Sequence, residues 1–410
     1  MTPPRIIFVN RFYWPDSPAT AQLLSDLAEG LACSGYPVTV LARRPGLSIP
    51  GTEIHRGVQI QRIRTSAWGR RSLAGRALDF TTFLLGARRQ LGAQLGAHDV
   101  VVTLTDPPLL GPALASVVHR RGARWVHWVQ DIFPEVAAAV SGRKIVNHLI
   151  PWRDRAWRAA DRCVVPGYDM ADWVHQHGVP SHRLVVSENW GPLGLGPVDS
   201  TAWRQRHGLV GRFIVMYSGN LGRVHDFSAI APLAHALSSE LDLSFVFVGD
   251  GAQRPALEKQ VQAEKLTNLL FLPAQPREEL AAVLSAGDLH LVTLREGCEN
   301  LVYPSKLYGI AAVGRPVLVI GPHRCEPSRS VSTHRFGAGH TPDEITAMAA
   351  YIRRLQAEPE YAATLGQSAL RFSQEHGQFR RALATWTAVL AELIPLAQTN
   401  RLGTALSSPP

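Results

Sequence analysis

Short buried-strand runs and amphipathic helices alternate along the whole chain. Arg5-Ile6-Ile7-Phe8-Val9-Asn10 and Val38-Thr39-Val40-Leu41 are apolar runs of strand length. Between them Leu24, Leu27, Ala28 and Leu31 recur at i, i+3, i+4 and i+7, which predicts a helix. Ser17-Pro18 supplies an N-cap and a first-turn proline for that helix, and Gly35 stops it. The unit recurs. A run at 99–104 leads to a helix near 109–121 and then to a run at 124–129, with late strands at 162–166 and 184–187. Glycine and proline then crowd Trp190-Gly191-Pro192-Leu193-Gly194-Leu195-Gly196-Pro197, the best linker signal in the chain. Five further buried runs follow, at 213–217, 243–248, 269–272, 289–292 and 316–320, with helices expected at 343–357 and 375–394.

This rhythm predicts an α/β protein of two Rossmann-like, doubly wound domains facing each other across a cleft. The expected divisions are 1–197, 198–375, a C-terminal helix at 376–398 packing back on the first domain, and a disordered tail at 399–410. A length of 410 residues suits two cores better than one. The chain is 46% hydrophobic and 18% charged, as soluble globular chains are. No apolar run nears the ~20 residues of a membrane span, and Met1 leads directly into a strand, so a secretory route is not expected. Cys33, Cys163, Cys298 and Cys325 are scattered without metal-ligand spacing, which fits reduced thiols in the cytoplasm.

Net charge is +9, but its distribution matters more. Residues 1–198 hold 22 basic against 14 acidic residues, and residues 199–410 hold 20 against 19. Residues 56–89 alone carry eight arginines and one acid, Asp79, interleaved with Trp68, Phe80, Phe83, Leu84 and Leu85. Such a patch suits an anionic membrane surface, a phosphorylated substrate or nucleic acid. The competing account is a solvated arginine face over a helix core, in a chain with 38 Arg and 4 Lys. No RNA-binding motif accompanies the arginines, so no nucleic-acid partner is expected.

In doubly wound sheets ligands sit beyond the carboxyl ends of the strands, so the strand-to-helix loops are the places to search. After the run at 213–217 come Gly219, Asn220, Gly222, Arg223 and His225, where glycines admit backbone amides to an anion and Arg223 adds a forked cation. Val302-Tyr303-Pro304-Ser305-Lys306 precedes a helix that Ser305 can cap. Lys306 sits in that first turn, where a cation opposes the helix dipole unless an anion is bound. Asp250, in Val248-Gly249-Asp250-Gly251, borders a nucleotide or is an ordinary turn residue. Asp131, in Gln130-Asp131-Ile132-Phe133-Pro134-Glu135, either orients an acceptor hydroxyl or caps a helix ahead of Pro134.

Taken in order, these motifs resemble glycosyltransferase family 4, retaining enzymes of GT-B fold, and within it the branch building O-antigen and colanic-acid-type surface polysaccharides. The match is carried by Phe12-Tyr13-Trp14-Pro15-Asp16, Gly35-Tyr36-Pro37-Val38, Thr105-Asp106-Pro107-Pro108 and Asp131-Ile132-Phe133-Pro134-Glu135. It continues through Glu188-Asn189-Trp190, Tyr217-Ser218-Gly219-Asn220-Leu221-Gly222, Val248-Gly249-Asp250-Gly251 and Pro304-Ser305-Lys306-Leu307-Tyr308-Gly309 to Gly314-Arg315-Pro316-Val317, about residues 5–390. The resemblance implies transfer of a sugar from a nucleoside diphosphate to a polyprenyl-linked or saccharide acceptor, with retention; the basic stretch 56–89 adds the expectation of a cytoplasmic protein peripheral on the inner leaflet of the cell membrane. It implies no cofactor and no metal, and the sequence offers no acidic DxD-type cluster.

Three departures stand out. The first loop, where relatives carry glycines, holds Asp16, Ser17 and Thr20 around Pro18-Ala19. Asn220 and His225 stand where the family places an arginine and a lysine on the diphosphate, which leaves that task to Arg223 and Lys306. Of the family's paired glutamates, the second falls on Gly309, and Glu296 or Glu299 lies nearest the first. A sugar-nucleotide 2-epimerase on the same scaffold is the alternative enzyme, and a basic nucleic-acid-binding protein the alternative from another class.

Overall fold

The computed structural model describes residues 4–394 apart from 17, 45, 47, 48, 70 and 71. The expected tail at 399–410, the end of the 376–398 helix, Ser17, Arg70 and Arg71 lie outside the described residues.

The chain forms two compact units. One runs to Glu188 and resumes at Phe379; the other is Asn189–Gln378. The sheet of the first contains β1 (Ile6–Val9), β2 (Val38–Arg43), β3 (Thr52–His55), β4 (Val58–Ile63), β5 (Val100–Thr103), β6 (Arg124–Trp128), β7 (Arg162–Val165) and β8 (Leu184–Val186). Their order is β3-β4-β2-β1-β5-β6-β7-β8, parallel except for the β3–β4 hairpin. The central strands are buried on both faces, which explains their unbroken apolar runs. The sheet of the second unit contains β9 (Phe213–Ser218), β10 (Leu243–Val248), β11 (Leu269–Leu272), β12 (Leu289–Thr293), β13 (Val317–Ile320) and β14 (Gly337–His340). Its order is β11-β10-β9-β12-β13-β14, all parallel. In each sheet the order reverses beside the first strand, between β1 and β5 and between β9 and β12. Loops diverge there, and a ligand crevice opens.

The helix Ala19–Cys33 has Pro18 at its N-cap position, one residue ahead of the first turn expected for it. At its other end Gly35 takes φ +85°, and the Tyr36 amide donates back to the Leu31 carbonyl at 3.1 Å.

Two boundaries differ from the sequence-based expectation. The Gly/Pro segment is not a free hinge before residue 198. Trp190 is buried, the Gly191 amide donates to the Gly377 carbonyl at 3.2 Å, and the Val198 amide donates to Ser285 Oγ at 3.1 Å, all within the second unit. Residues 375–378 likewise finish the second unit, closing a helix Pro359–Glu375 that the apolar pattern did not separate from its neighbours. The last helix, Phe379–Leu393, packs on the first unit. Trp386 lies 6.3 Å from Phe8 and 4.9 Å from Trp128, centroid to centroid. A Cβ at Gly30 would come within 2.6 Å of Phe379 Cζ, so this glycine sets how closely the two helices approach.

Candidate functional site

In the second unit the loops after β9 and β10 touch backbone to backbone. The Gly219 amide donates to the Val248 carbonyl and the Leu221 amide to the Asp250 carbonyl, both at 2.9 Å. Gly219 and Gly249 both take φ +132°. A Cβ at Gly249 would stand 2.2 Å from the Gly219 carbonyl oxygen, and one at Gly251 2.5 Å from the Leu221 backbone. These glycines are therefore required by contact as well as by conformation.

Lys306 opens the short helix Lys306–Ala312 and reaches to this floor. Its stem is half-buried, while Nζ is fully buried with no hydrogen-bond partner among the described residues. Nζ lies 3.6 Å from the centroid of the Tyr217 ring, and a Cβ at Gly219 would also be 3.6 Å from it. Aromatic contact compensates an ammonium only in part. Desolvation accordingly holds the Lys306 amine well below the ordinary lysine value.

His225 adds no second cation. Its Nδ1 lies 2.7 Å from the Thr293 carbonyl oxygen, which only accepts, so Nδ1 carries the proton and Nε2 presents a bare acceptor. Burial, then the charge of Lys306, hold its pKa down to about 3 against the Thr293 hydrogen bond, which raises it. Gln253, which sequence reasoning missed, anchors this loop by donating to the Gly222 (2.5 Å) and His225 (2.9 Å) carbonyls. Arg254 was missed too; it donates to the Gly249 (2.6 Å) and Leu272 (2.9 Å) carbonyls. Neither is visible in a motif, because each acts on backbone carbonyls that only the fold brings to it: Gln253 on Gly222 and His225, Arg254 on Gly249 and Leu272.

The other expected donor-site residues divide. Asn220 lies beside Gly222, 3.0 Å from where a Cβ there would be, and its carbonyl accepts from Tyr217 Oη at 2.8 Å. Arg223 is exposed and makes no ion pair among the described residues. Asp250 is exposed and accepts from the Gly251 amide at 2.7 Å. Pro304 is buried. Ser305 stands at the N-cap position of the helix, but its side chain makes no capping bond, unlike the expectation. Glu299 is buried and held by Arg324 at 3.0 Å. Position 309 is walled by apolar atoms: Leu284, Pro192 and Leu195 lie 3.6–3.7 Å from a Cβ there. The Gly/Pro segment thus occupies the space a glutamate at 309 would need.

In the first unit the expected residues gather at the β1–β5 reversal. Arg11, after β1, pairs with Asp106, after β5, at 2.6 Å; Arg43, ending β2, pairs with Asp16 at 2.6 Å. Both guanidiniums lie over the Phe12 ring, at 4.3 and 4.7 Å. Thr20 is half-buried in the first turn of its helix. Asp131 follows β6. It is exposed by area, yet enough protein surrounds its carboxyl that desolvation, followed by the charge of Asp106, pushes its pKa up to about 6. The helix behind it, Glu135–Ser141, starts after Pro134 without a side-chain cap, which corrects the capping alternative for Asp131. Glu135 is instead gripped by buried Arg153, at 2.5 and 2.9 Å, and this bidentate pair fixes the loop that carries Asp131.

Residues 20–190 match the family model described as Glycosyl transferase 4-like domain, and residues 199–372 match Glycosyl transferases group 1. Asp131 falls in the first match, Lys306 and the glycine loops in the second. The chain is 28% identical over 291 residues to "Probable glycosyltransferase WbjE" of Pseudomonas aeruginosa, covering 68% of this chain and 70% of that protein. It is 23% identical to "Putative colanic acid biosynthesis glycosyl transferase WcaI" of Escherichia coli K12, covering 92% and 98%. Among solved structures, Anabaena Alr3699/HepE in complex with UDP-glucose superposes with a TM-score of 0.73 at 15% identity, over 95% of this chain and 99% of that one.

The buried amine yields a paired expectation. Because Lys306 deprotonates more readily folded than unfolded, the ligand-free protein gains stability as pH rises from the folded pKa towards 10.5. Lys306→Met removes the buried, unpaired amine, so its ligand-free melting temperature should match or exceed wild type. The thermal shift induced by saturating nucleoside diphosphate, ~2.7 kcal/mol at ~100 times Kd, should vanish. Differential scanning fluorimetry reads both; a destabilised variant that keeps the shift contradicts the assignment.

Proposed function

We propose that this chain, whose residues 20–190 and 199–372 belong to the glycosyl transferase 4-like and glycosyl transferases group 1 domain families, moves a sugar from a nucleoside diphosphate to a lipid-linked or saccharide hydroxyl with anomeric retention. That it is a glycosyltransferase of polysaccharide biosynthesis follows from the two matches and from its relatives. These relatives do not favour an epimerase. The donor class rests on one observation: a buried lysine nitrogen with no anion beside it among the described residues, held at a glycine-lined loop pair beyond the β9–β12 reversal.

In this reading the C1–O bond to the β-phosphate breaks and its electron pair leaves with the nucleoside diphosphate, while the acceptor oxygen bonds to C1. Lys306 and the backbone amides of the glycine loop stabilise the departing charge, and exposed Arg223 closes on it. The donor complex named for HepE is that protein's own, and supports a diphosphate donor here by analogy of fold. No metal is called for, since fixed cations can meet the diphosphate. Asp131 accepts the hydrogen bond of the acceptor hydroxyl and its proton as the new bond forms.

A cytoplasmic protein at the inner leaflet fits a polyprenyl-linked acceptor, and no helix among the described residues is long and apolar enough to cross a membrane. The basic segment 56–89 would supply the contact through fewer groups than the sequence suggested. Arg62 is buried against Glu53 at 2.8 Å, Arg56 pairs with Glu29 at 3.0 Å, and Phe83 is buried. What faces outward is Trp68, with Leu78 and Leu85 two turns apart on the helix Leu73–Gln94, flanked by exposed Arg64, Arg76, Arg88 and Arg89. Tryptophan and leucine suit the headgroup–acyl boundary, and each arginine near an anionic surface adds ~1 kcal/mol.

Two measurements test this reading. Transfer should require ionised Asp131, so the rate with saturating donor falls as pH drops through about 6. Asp106→Asn removes a neighbouring charge that raises that pKa, so it should move the limb to lower pH, and Asp131→Asn should lose ~10²-fold in rate while donor binding persists. A limb unmoved in Asp106→Asn, or full activity in Asp131→Asn, removes this carboxyl from catalysis. For the membrane, the protein should sediment with anionic vesicles and be released by high salt. Arg76→Glu with Arg89→Glu should weaken binding, as should Leu85→Ser; sedimentation indifferent to charge, salt and these variants excludes the surface.

A further inference from the structure

Apart from the glycine loops, the second unit gathers three side chains of metal-ligating type. The helix Glu326–Thr333 ends at His334, and the helix Pro359–Glu375 ends at Glu375 with His376 as its C-cap. One ligand atom from each of His334, Glu375 and His376 lies within 4.8 Å of the other two. The imidazole centroids are 4.7 Å apart at 63°, and Phe372 stands 5.0 Å from both. We propose that His334, Glu375 and His376 form a binding site for a divalent transition metal of the zinc class.

Three features carry this. Two imidazoles and one carboxylate suit zinc, cobalt, nickel or copper, whereas magnesium and calcium prefer all-oxygen sites. Tetrahedral zinc with bonds of about 2.1 Å sets its donor atoms about 3.4 Å apart, so rotamer adjustment suffices to close a triangle whose sides are at most 4.8 Å. Finally, two helix C-termini converge here, and each brings the negative end of its dipole to the place where a cation would sit. Three protein donors leave a fourth position for water.

The bound ion would tie the end of one helix to the end of another, three residues before the chain leaves the unit at Phe379. Phe372, packed against both imidazoles, stacks on Tyr308 at 5.9 Å and 18°, and Tyr308 belongs to the helix that carries Lys306. The ion thus buttresses the donor-site helix from behind and takes no part in transfer.

Cobalt titration of the tag-free, chelator-stripped, full-length protein tests the site without a donor or acceptor, so its outcome is separate from that of the transfer assays. One equivalent of Co²⁺ should produce a visible d–d band that Zn²⁺ abolishes and excess Mg²⁺ or Ca²⁺ does not. His334→Gln with His376→Gln should lose the band and weaken zinc binding at least roughly tenfold, with an unchanged far-UV spectrum. Exposed Glu375→Gln, which leaves the aromatic packing untouched, should weaken it as well and serves if the double variant misfolds. Absence of saturable one-to-one binding by the wild type, or binding unchanged in these variants, overturns the proposal.

Discussion

A lysine nitrogen buried without an anion is the constraint on which the second unit turns. Lys306 Nζ has an aromatic face and glycine backbone around it, and no carboxylate among the described residues compensates it. Burying a charge unpaired is costly, so folded proteins keep such groups chiefly where a ligand supplies the missing partner. His225 sharpens the point. Buried beside the lysine, it is held neutral and adds no positive charge of its own there. A diphosphate brings the negative charge that this arrangement lacks.

Sheet order explains why the groups meet where they do. With β9 and β12 adjacent, the loop bearing Gly219 to His225 and the loop leading to Lys306 diverge from neighbouring strands. Contact of Gly249 and Gly251 with the first of these loops leaves no room for side chains, so backbone lines the floor. The first unit repeats the topology with different chemistry. At its β1–β5 reversal two arginine–aspartate pairs crowd around Phe12, and the carboxylate of Asp106 helps to raise that of Asp131. One architecture thus presents an unmet cation in one unit and a protonatable carboxyl in the other.

Most parallel strands were legible because burial on both faces demands continuous apolar runs. The strands that escaped are those without that demand; one of them, Val58–Ile63, alternates apolar with polar residues and lies inside the edge. Gly337–His340 is an edge strand of glycine, alanine and histidine, where a Cβ at Gly337 would meet the Val317 carbonyl oxygen at 2.1 Å. Thr52–His55 is another edge, exposed and half-buried by turns. The motifs could be located along the chain, but the physical states of their residues could not be read. Burial of one nitrogen of Lys306, the tautomer of His225, the pairing of Glu299 with Arg324 and the apolar wall at Gly309 all depend on neighbours remote in sequence. The basic segment shows the same limit, since the sequence counts arginines while only the fold reveals which are already paired.

The central claim is that Lys306 gains its proton as the diphosphate arrives. Calorimetric titration with a nucleoside diphosphate at steps of pH from about 8 up to 10.5, where the phosphate is already ionised, measures this directly in buffers of differing ionisation enthalpy. The account predicts net uptake of up to one proton by the wild type and none by Lys306→Met. Tight binding without proton uptake, or uptake that survives in Lys306→Met, would contradict it.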